Sequence, residues 1–330
     1  MIRLDRRALF AIVLLGAFAL LPLAAELIDQ PWYIGQFRKI LIFAIAAVSL
    51  DLILGYGGLV CFGQAAFFGI GAYVVAILSW HAQRNVPIFG LLPGTKAVWI
   101  TWPLAMLAAG GVATLIGLFS LRTAGIHFIM ITLAFAQMIY FFFVSLRAYG
   151  GEDGLRFRSE TTIFGLVDTR DDIGFYYVVF AILCLVLFLA HRLTRARFGM
   201  VLQGCRENER RMRALGFATF PYKLAAFALA GAVSGLAGAL FAVEESFISP
   251  AVMHWTRSGD LIVMVVLGGM GKLFGPVAGA TLFLLMEKFI PDFTEHWKLI
   301  FGPAIVLIVL FAKHGLIGWF QPKGTQRAGH

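Results

Sequence analysis

LVCFGQAAFFGIGAY, residues 59–73, carries no charge, yet it holds three glycines, three alanines and one glutamine. Gly55, Gly57 and Gly58 stand just before it. A helix interior disfavours glycine by about 1 kcal/mol relative to alanine, so a soluble helix would not tolerate this sequence. In lipid the balance changes. Helices there gain little by hiding apolar side chains and pack through close backbone approach, which small residues allow.

The composition supports the lipid reading. Of 330 residues 60% are hydrophobic and 14% charged, with 32 phenylalanines and a mean hydropathy of +0.85. Soluble domains carry about 25% charged residues, and a soluble fold has nowhere to put such an apolar surplus. The fold class is therefore all-α and polytopic in a membrane. The net charge of +9 does not indicate nucleic acid, because the basic residues flank apolar runs as cytoplasmic loops do. Cys61, Cys184 and Cys205 suggest no disulfide framework.

Uncharged runs define the spans. Residues 8–25 follow Arg3, Arg6 and Arg7, and exceed the 7–15 apolar residues of a signal peptide core, so a span is expected. Asp51 is the only charge between Lys39 and His81, which leaves room for spans over 40–55 and 59–80 around GYGG (55–58). Further runs cover 97–121, 123–146, 173–190 and 224–243, each near the ~20 residues that cross a bilayer. The remainder divides into 261–271, 273–286 and 299–312.

Residues 191–223 hold eight Lys/Arg against two acids, the strongest cytoplasmic signal in the chain. Loop 147–172, with six acids and four arginines, suits the outer side. About ten spans with both termini cytoplasmic follow, although Arg38 and Lys39 then fall outside. The expected organisation is an N-terminal span and outer loop (1–39), a permease core (40–315) with a cytoplasmic loop at 192–223, and a cytoplasmic tail (316–330).

GG-LVC-FG-QAA (57–66) is echoed by GG-MGKL-FG-PVA (268–278). Internal repeats with broken helices are a habit of transporters. Non-helical backbone at membrane depth survives only against protein or a water-filled cavity, so two breaks point to a polar route. Asp51, Gly57, Gly58, Gln64, Gly268 and Gly269 are its candidate residues. Charges within spans usually face the interior or a cavity. Asp51 is the least excusable of them, while Glu244, Glu245, Asp260 and Lys272 fit a membrane interface. Ala65/Gly69, Ala72/Ala76 and Gly231/Gly235/Ala239 have the spacing of helix-packing surfaces.

No HExxH, metal-spaced Cys/His set or GxxxxGK[ST] loop occurs, so the chain is not read as an enzyme and no cofactor is expected. Uphill transport then draws on a partner or an ion gradient. RARFGMVLQGCRENERRMRALGFATFPYKLAAF (195–227) is basic at its centre. Met200, Leu202, Met212 and Leu215 offer an apolar face beside the charges of Arg206, Glu207, Asn208, Glu209 and Arg210. A short helix ending near Gly216, able to dock a cytoplasmic protein, is expected there.

LILGYGGLVCFGQAAFFGIGAY (52–73), ITLAFAQMIY (131–140), RFGMVLQGCRENERRMRALGF (197–217), YKLAAFALAGAVSGLAGALFA (222–242), SFISP (246–250) and IVMVVLGGMGKLFGPVAGA (262–280) resemble the LivM-type permeases of branched-chain amino acid ABC importers. The resemblance implies a bacterial inner-membrane subunit that pairs with a LivH-type permease. Two cytoplasmic ATPases would power it and a periplasmic solute-binding protein would deliver its cargo. It also implies that Arg206–Gly216 is the element seated in an ATPase groove. Asp51 stands where many members have Asn, and Gln64 where many have His. Related permeases for urea, amides and aromatic acids share these motifs, and an ion-coupled secondary transporter is the reading from a different class.

Overall fold

The computed structural model describes residues 6–27, 32–87, 94–157 and 171–291, with short pieces at 162–163, 167–168 and 302–303. The expected last span and the cytoplasmic tail lie outside them. Among the described residues ten α-helices follow in order: α1 (Arg6–Leu27), α2 (Trp32–Asp51), α3 (Gln64–Arg84), α4 (Val98–Ser120), α5 (Ile126–Ser145), α6 (Asp172–Arg195), α7 (Arg197–Ala214), α8 (Thr219–Glu245), α9 (Trp255–Gly268) and α10 (Gly275–Phe289). Two small antiparallel ladders join them, Leu155–Arg156 with Phe247–Ile248 and Thr162–Ile163 with Val167–Asp168.

Helices α3, α4, α5, α6 and α8 are each long and apolar enough to cross a membrane. Their burial sorts them into two groups. The most apolar stretches of α3 and α8 are 72% and 67% buried, against 33%, 22% and 33% for α4, α5 and α6. So α3 and α8 form the centre together with α2, whose residues 40–42 and 44–51 are all buried. Leu107, Phe119, Ile126, Phe141 and Phe188 on α4, α5 and α6 point outward, an arrangement that suits hydrocarbon.

Small residues hold the centre together. At Gly71 a methyl group would overlap the Gly235 carbonyl, and at Gly238 it would overlap the Phe68 carbonyl. Gly231 and Gly235 meet Ala113 and Ala109 across the α4 side. The expected glycine seam of α8 is thus used on both flanks. Gly69 differs: it accommodates Met253 of the 250–253 turn rather than a neighbouring helix.

The opening stretch is only partly helical. After a π turn over Leu52–Tyr56, residues 58–63 run without helix, and α3 starts at Gln64. The Phe62 N–H donates to the Thr132 hydroxyl at 3.4 Å and the Gln64 amide to the Ser49 hydroxyl at 2.8 Å. Ser49 lies about 10 Å of helix rise before the π turn ends, and Thr132 lies inside α5. The non-helical segment therefore re-enters the bundle, where protein groups satisfy its backbone. At the other break, α9 and α10 are 14 and 15 residues long. Each rises roughly 20 Å, less than the ~30 Å of a hydrocarbon core.

Candidate coupling and translocation site

The two glycine breaks meet. Asp51 ends α2, and its Oδ1 accepts the Gly271 N–H at 2.8 Å across the gap between the breaks. Gly55 is packed so tightly that a Cβ there would strike both the Gly271 nitrogen and the Asp51 carboxylate. Positive φ at Gly58 (68°), Gly269 (110°) and Gly271 (72°) makes the reversals possible, a backbone region that L side chains rarely adopt. The buried Gly57 donates its N–H to the Leu54 carbonyl and closes the π turn. Gly268 faces the Gly275 carbonyl, which sets the α9–α10 hairpin. Of the route candidates, Asp51 makes the contact between the breaks, Gly57 and Gly58 follow it on the first break, and Gly268 and Gly269 precede it on the second.

Gln64 is the sixth, and it stands apart. It is fully buried and its amide nitrogen reaches Ser49 at 2.8 Å and the Ala230 carbonyl at 3.4 Å. Ser234 donates to its backbone carbonyl at 3.2 Å. This residue pins α2, α3 and α8 together.

Arg206 joins the junction from α7. Its guanidinium donates to the Gly55 carbonyl, freed from helical pairing by the break, and its aliphatic stem lies over Gly58. Helix α7 is bent. Asn208 has φ −157° and ψ 97°, outside helical values, and its side-chain oxygen accepts the Arg211 N–H at 3.0 Å, an N-cap for the second half. The elbow folds Met212 back over Gly204. The second half ends at Ala214, and Gly216 follows with φ 87°.

The predicted docking residues divide accordingly. Glu207, Asn208 and Arg210 are exposed at the elbow, with Met200, Leu215 and Phe217 as exposed apolar neighbours. Leu202 is buried instead. Glu209 is held internally: it accepts from Arg213 at 2.6 Å, from the Thr219 hydroxyl at 3.0 Å and from the Lys223 ammonium. Burial by itself would raise its carboxyl, but those donors outweigh it and hold the group down at about 2. Glu209 therefore clamps α7 to the first turns of α8.

The opposite end of the bundle is built from long charged side chains. Arg38 donates to Asp172 Oδ1 at 3.0 Å, to the Asp172 carbonyl at 3.1 Å and to Glu244 Oε1 at 3.0 Å. Lys39 pairs with Glu245 at 2.6 Å. Each of these two cations thus has its own carboxylate partner.

Beside them, the starts of α2 and α9 and the ends of α8 and α10 enclose a cavity of about 310 Å³. Lys39, Glu245, Arg257, Asp260, Glu287 and Lys288 ring it, and Phe43, Phe68, Phe241, Leu261, Met264 and Leu284 line it. Sequence reasoning set Glu245 and Asp260 at the membrane interface, with Asp260 also a candidate for the ion-coupled group of the secondary-transporter reading, and gave Arg257 and Glu287 no role. The usable signal was HWTRSGD (254–260): His254 caps α9, Ser258 binds the Ala65 N–H at 3.0 Å, and Arg257 and Asp260 face the cavity. His127, an ionisable residue at the edge of an apolar run, is exposed in the first turn of α5.

Comparison with known proteins agrees with this architecture. Residues 33–310 match the family model described as "Branched-chain amino acid transport system / permease component". The LivM high-affinity branched-chain amino acid permease protein of Escherichia coli is 29% identical over 306 residues, covering 86% of this chain and 69% of that protein. Its counterpart from Salmonella typhimurium is 29% identical over 312 residues, covering 88% and 71%. A probable LivH permease protein of Methanocaldococcus jannaschii is 23% identical over 271 residues, covering 76% and 79%. No solved structure matches. With the family model spanning most of its length, this multi-pass all-α chain belongs to the permease components of branched-chain amino acid transport systems.

Proposed function

We propose that this chain is one half of the membrane channel of an ATP-driven importer in the bacterial inner membrane, carrying branched-chain amino acids or related small polar solutes. A LivH-type permease forms the other half, two cytoplasmic ATPases drive the pair, and a periplasmic binding protein supplies solute. The chain has about ten spans with both termini cytoplasmic, α7 on the inner side and the charged cavity on the outer side. The basic excess of residues 191–223 supports that orientation, and the carboxylate partners of Arg38 and Lys39 remove the main objection to it. Similarity to both LivM and LivH proteins supports a paired subunit.

One observation carries the coupling reading: Arg206 reaches from α7 to the Gly55 carbonyl where the two broken helices meet. A push on α7 then acts directly on backbone held by few bonds. Glu207, Arg210 and the exposed Leu215 present charge and apolar surface to the ATPase. The inner junction of Asp51, Gly57, Gly58, Gly268 and Gly269 acts as the gate of the route, and Gln64 fixes its frame.

The test uses the chain assembled with its permease twin and ATPases. Glu207→Arg with Arg210→Glu is expected to weaken ATPase binding about tenfold or more, the order of 1.4 kcal/mol. Unchanged affinity would sink docking at this elbow. Arg206→Ala is expected to keep the ATPases bound while ATP hydrolysis no longer drives uptake.

A further inference from the structure

Four polar groups meet where the two breaks touch, two donors and two acceptors. Arg206 donates to the Gly55 carbonyl, and the Gly271 N–H donates to the Asp51 carboxylate. The two opposite charges of the junction are thus each bonded to a neutral peptide group, although Asp51 is only 2% exposed and attraction between charges strengthens away from water. The other pairing lies within reach. A Cβ on Gly271 would stand 3.3 Å from the Gly55 carbonyl oxygen and 3.7 Å from Arg206 Nη1, and one on Gly55 would overlap both the Gly271 nitrogen and the Asp51 carboxylate. All four groups therefore surround one point. If Arg206 turns to Asp51, the Gly271 N–H can turn to the Gly55 carbonyl. No buried polar group is left without a partner, the loss that ordinarily forbids such a change.

We propose that these four groups form a two-position switch. As α7 moves, Arg206 exchanges the Gly55 carbonyl for the Asp51 carboxylate, and a backbone bond from Gly271 to Gly55 replaces the bond from Gly271 to Asp51. The inference rests on the permease reading above and adds the contact through which α7 acts: Asp51 is a positioning residue, the second station of Arg206. Both arrangements hold the same number of bonds. The second gains the pairing of opposite charges and loses the deeper burial of a guanidinium, two effects of opposite sign that nearly cancel. A small gap of this kind is what an outside push can cross, and it yields two discrete positions rather than a continuous bend. The backbone need hardly shift, because Gly55 and Gly271 already abut. What moves is the arginine. Its stem runs over Gly58, where the absent Cβ leaves it room, and the bend at Asn208 two residues further on frees this part of α7 from the clamped second half.

The chain assembled with its permease twin and ATPases in phospholipid nanodiscs provides the test. Nitroxides on Gln203→Cys in α7 and Leu107→Cys on α4, both exposed positions, report the distance between the two helices by pulsed electron resonance. Cys184→Ser removes the half-buried thiol, Cys61 and Cys205 being buried. ATP with vanadate is expected to shift that distance in the otherwise unaltered chain. Asp51→Asn keeps an oxygen for the Gly271 N–H but no charge, and Arg206→Gln keeps an N–H for Gly55 but no charge. Each is expected to cut the displaced population about tenfold. The double variant is expected to lose no more than either alone, since both changes remove one contact, and uptake per ATP hydrolysed is expected to follow the same pattern. Losses that multiply in the double variant, or a full displaced population in Asp51→Asn, overturn the switch. Arg206→Lys keeps the charge and is expected to retain more displacement than Arg206→Gln. If Asp51→Asn fails to fold, that comparison decides alone, and equal displacement in the two overturns the proposal. A shift shared by every variant defeats the exchange only, whereas ATP hydrolysis with no shift in the unaltered chain defeats the coupling reading itself.

Discussion

The two ends of the bundle solve one problem, breaking regular structure inside an apolar protein, with different materials. At the α7 end the parts are backbone atoms: glycine carbonyls and amides, one carboxylate and one reaching guanidinium. At the other end they are long side chains, with Arg38, Lys39 and Arg257 set against five carboxylates. Backbone contacts leave no room to adjust, whereas rotamer-rich side chains can re-pair. The first end suits a joint with few positions, the second a surface that exchanges partners.

That contrast has measurable edges. Gly55→Val is expected to be the most damaging single change, because the new side chain strikes the Gly271 backbone on one side and Asp51 on the other. Overpacking of this kind costs about 3 kcal/mol. Thermal unfolding of the purified chain is the measurement, and Gly111→Ala, with open space around it, is the matched control expected to lose nothing. If both variants unfold alike, the junction is looser than its backbone contacts imply.

At the other end Arg38→Met is expected to destabilise by about 3 kcal/mol, since it strands the buried Glu244 carboxylate. Adding Glu244→Gln is expected to restore most of that loss in the same unfolding assay. Failure of the second change to rescue the first would mean that Arg38 acts through packing on the Phe175 ring, 5.3 Å away, rather than through charge.

The smallest effect concerns the clamp of α7 on α8. Glu209 is held at about 2 against an ordinary 4.5. A carboxyl depressed in the fold adds stability that is complete above its ordinary value and is lost as pH falls through the folded one. Protease cleavage within α7 is therefore expected to quicken between about 4.5 and about 2. Glu209→Gln should quicken it already at neutral pH, by a free energy of about 1 kcal/mol or less. A pH profile identical in that variant would place the titration elsewhere.

Much of this architecture was readable from the chain. Uncharged runs located the helices because water, lipid and charge sort residues by transfer energy, which is local in sequence. The GYGG and LGGMG breaks were legible because glycine clusters have few uses in a helix. Their contact was not, since the Asp51–Gly271 bond joins residues far apart in the chain and no pattern encodes which break meets which. Gln64 read equally as a lining residue or as a bond to a neighbouring helix, because polarity beside a break is ambiguous, and its Ser49 and Ala230 partners show the bond. Glu209 was grouped with the docking charges for a similar reason: its partner Lys223 lies beyond the elbow that Asn208 introduces. The place of Arg257 and Glu287 on the cavity rim was not legible because charges near helix ends ordinarily face water.

The half-length α9 sets the scale of any opening. From Met264, where the cavity reaches α9, to Gly268, where the first turn of the break begins, is four residues or about 6 Å of rise. Under the proposed gate, that length of α9 is what lies between the cavity and the break. In the importer proposed above, the stroke asked of the ATPases would be correspondingly short.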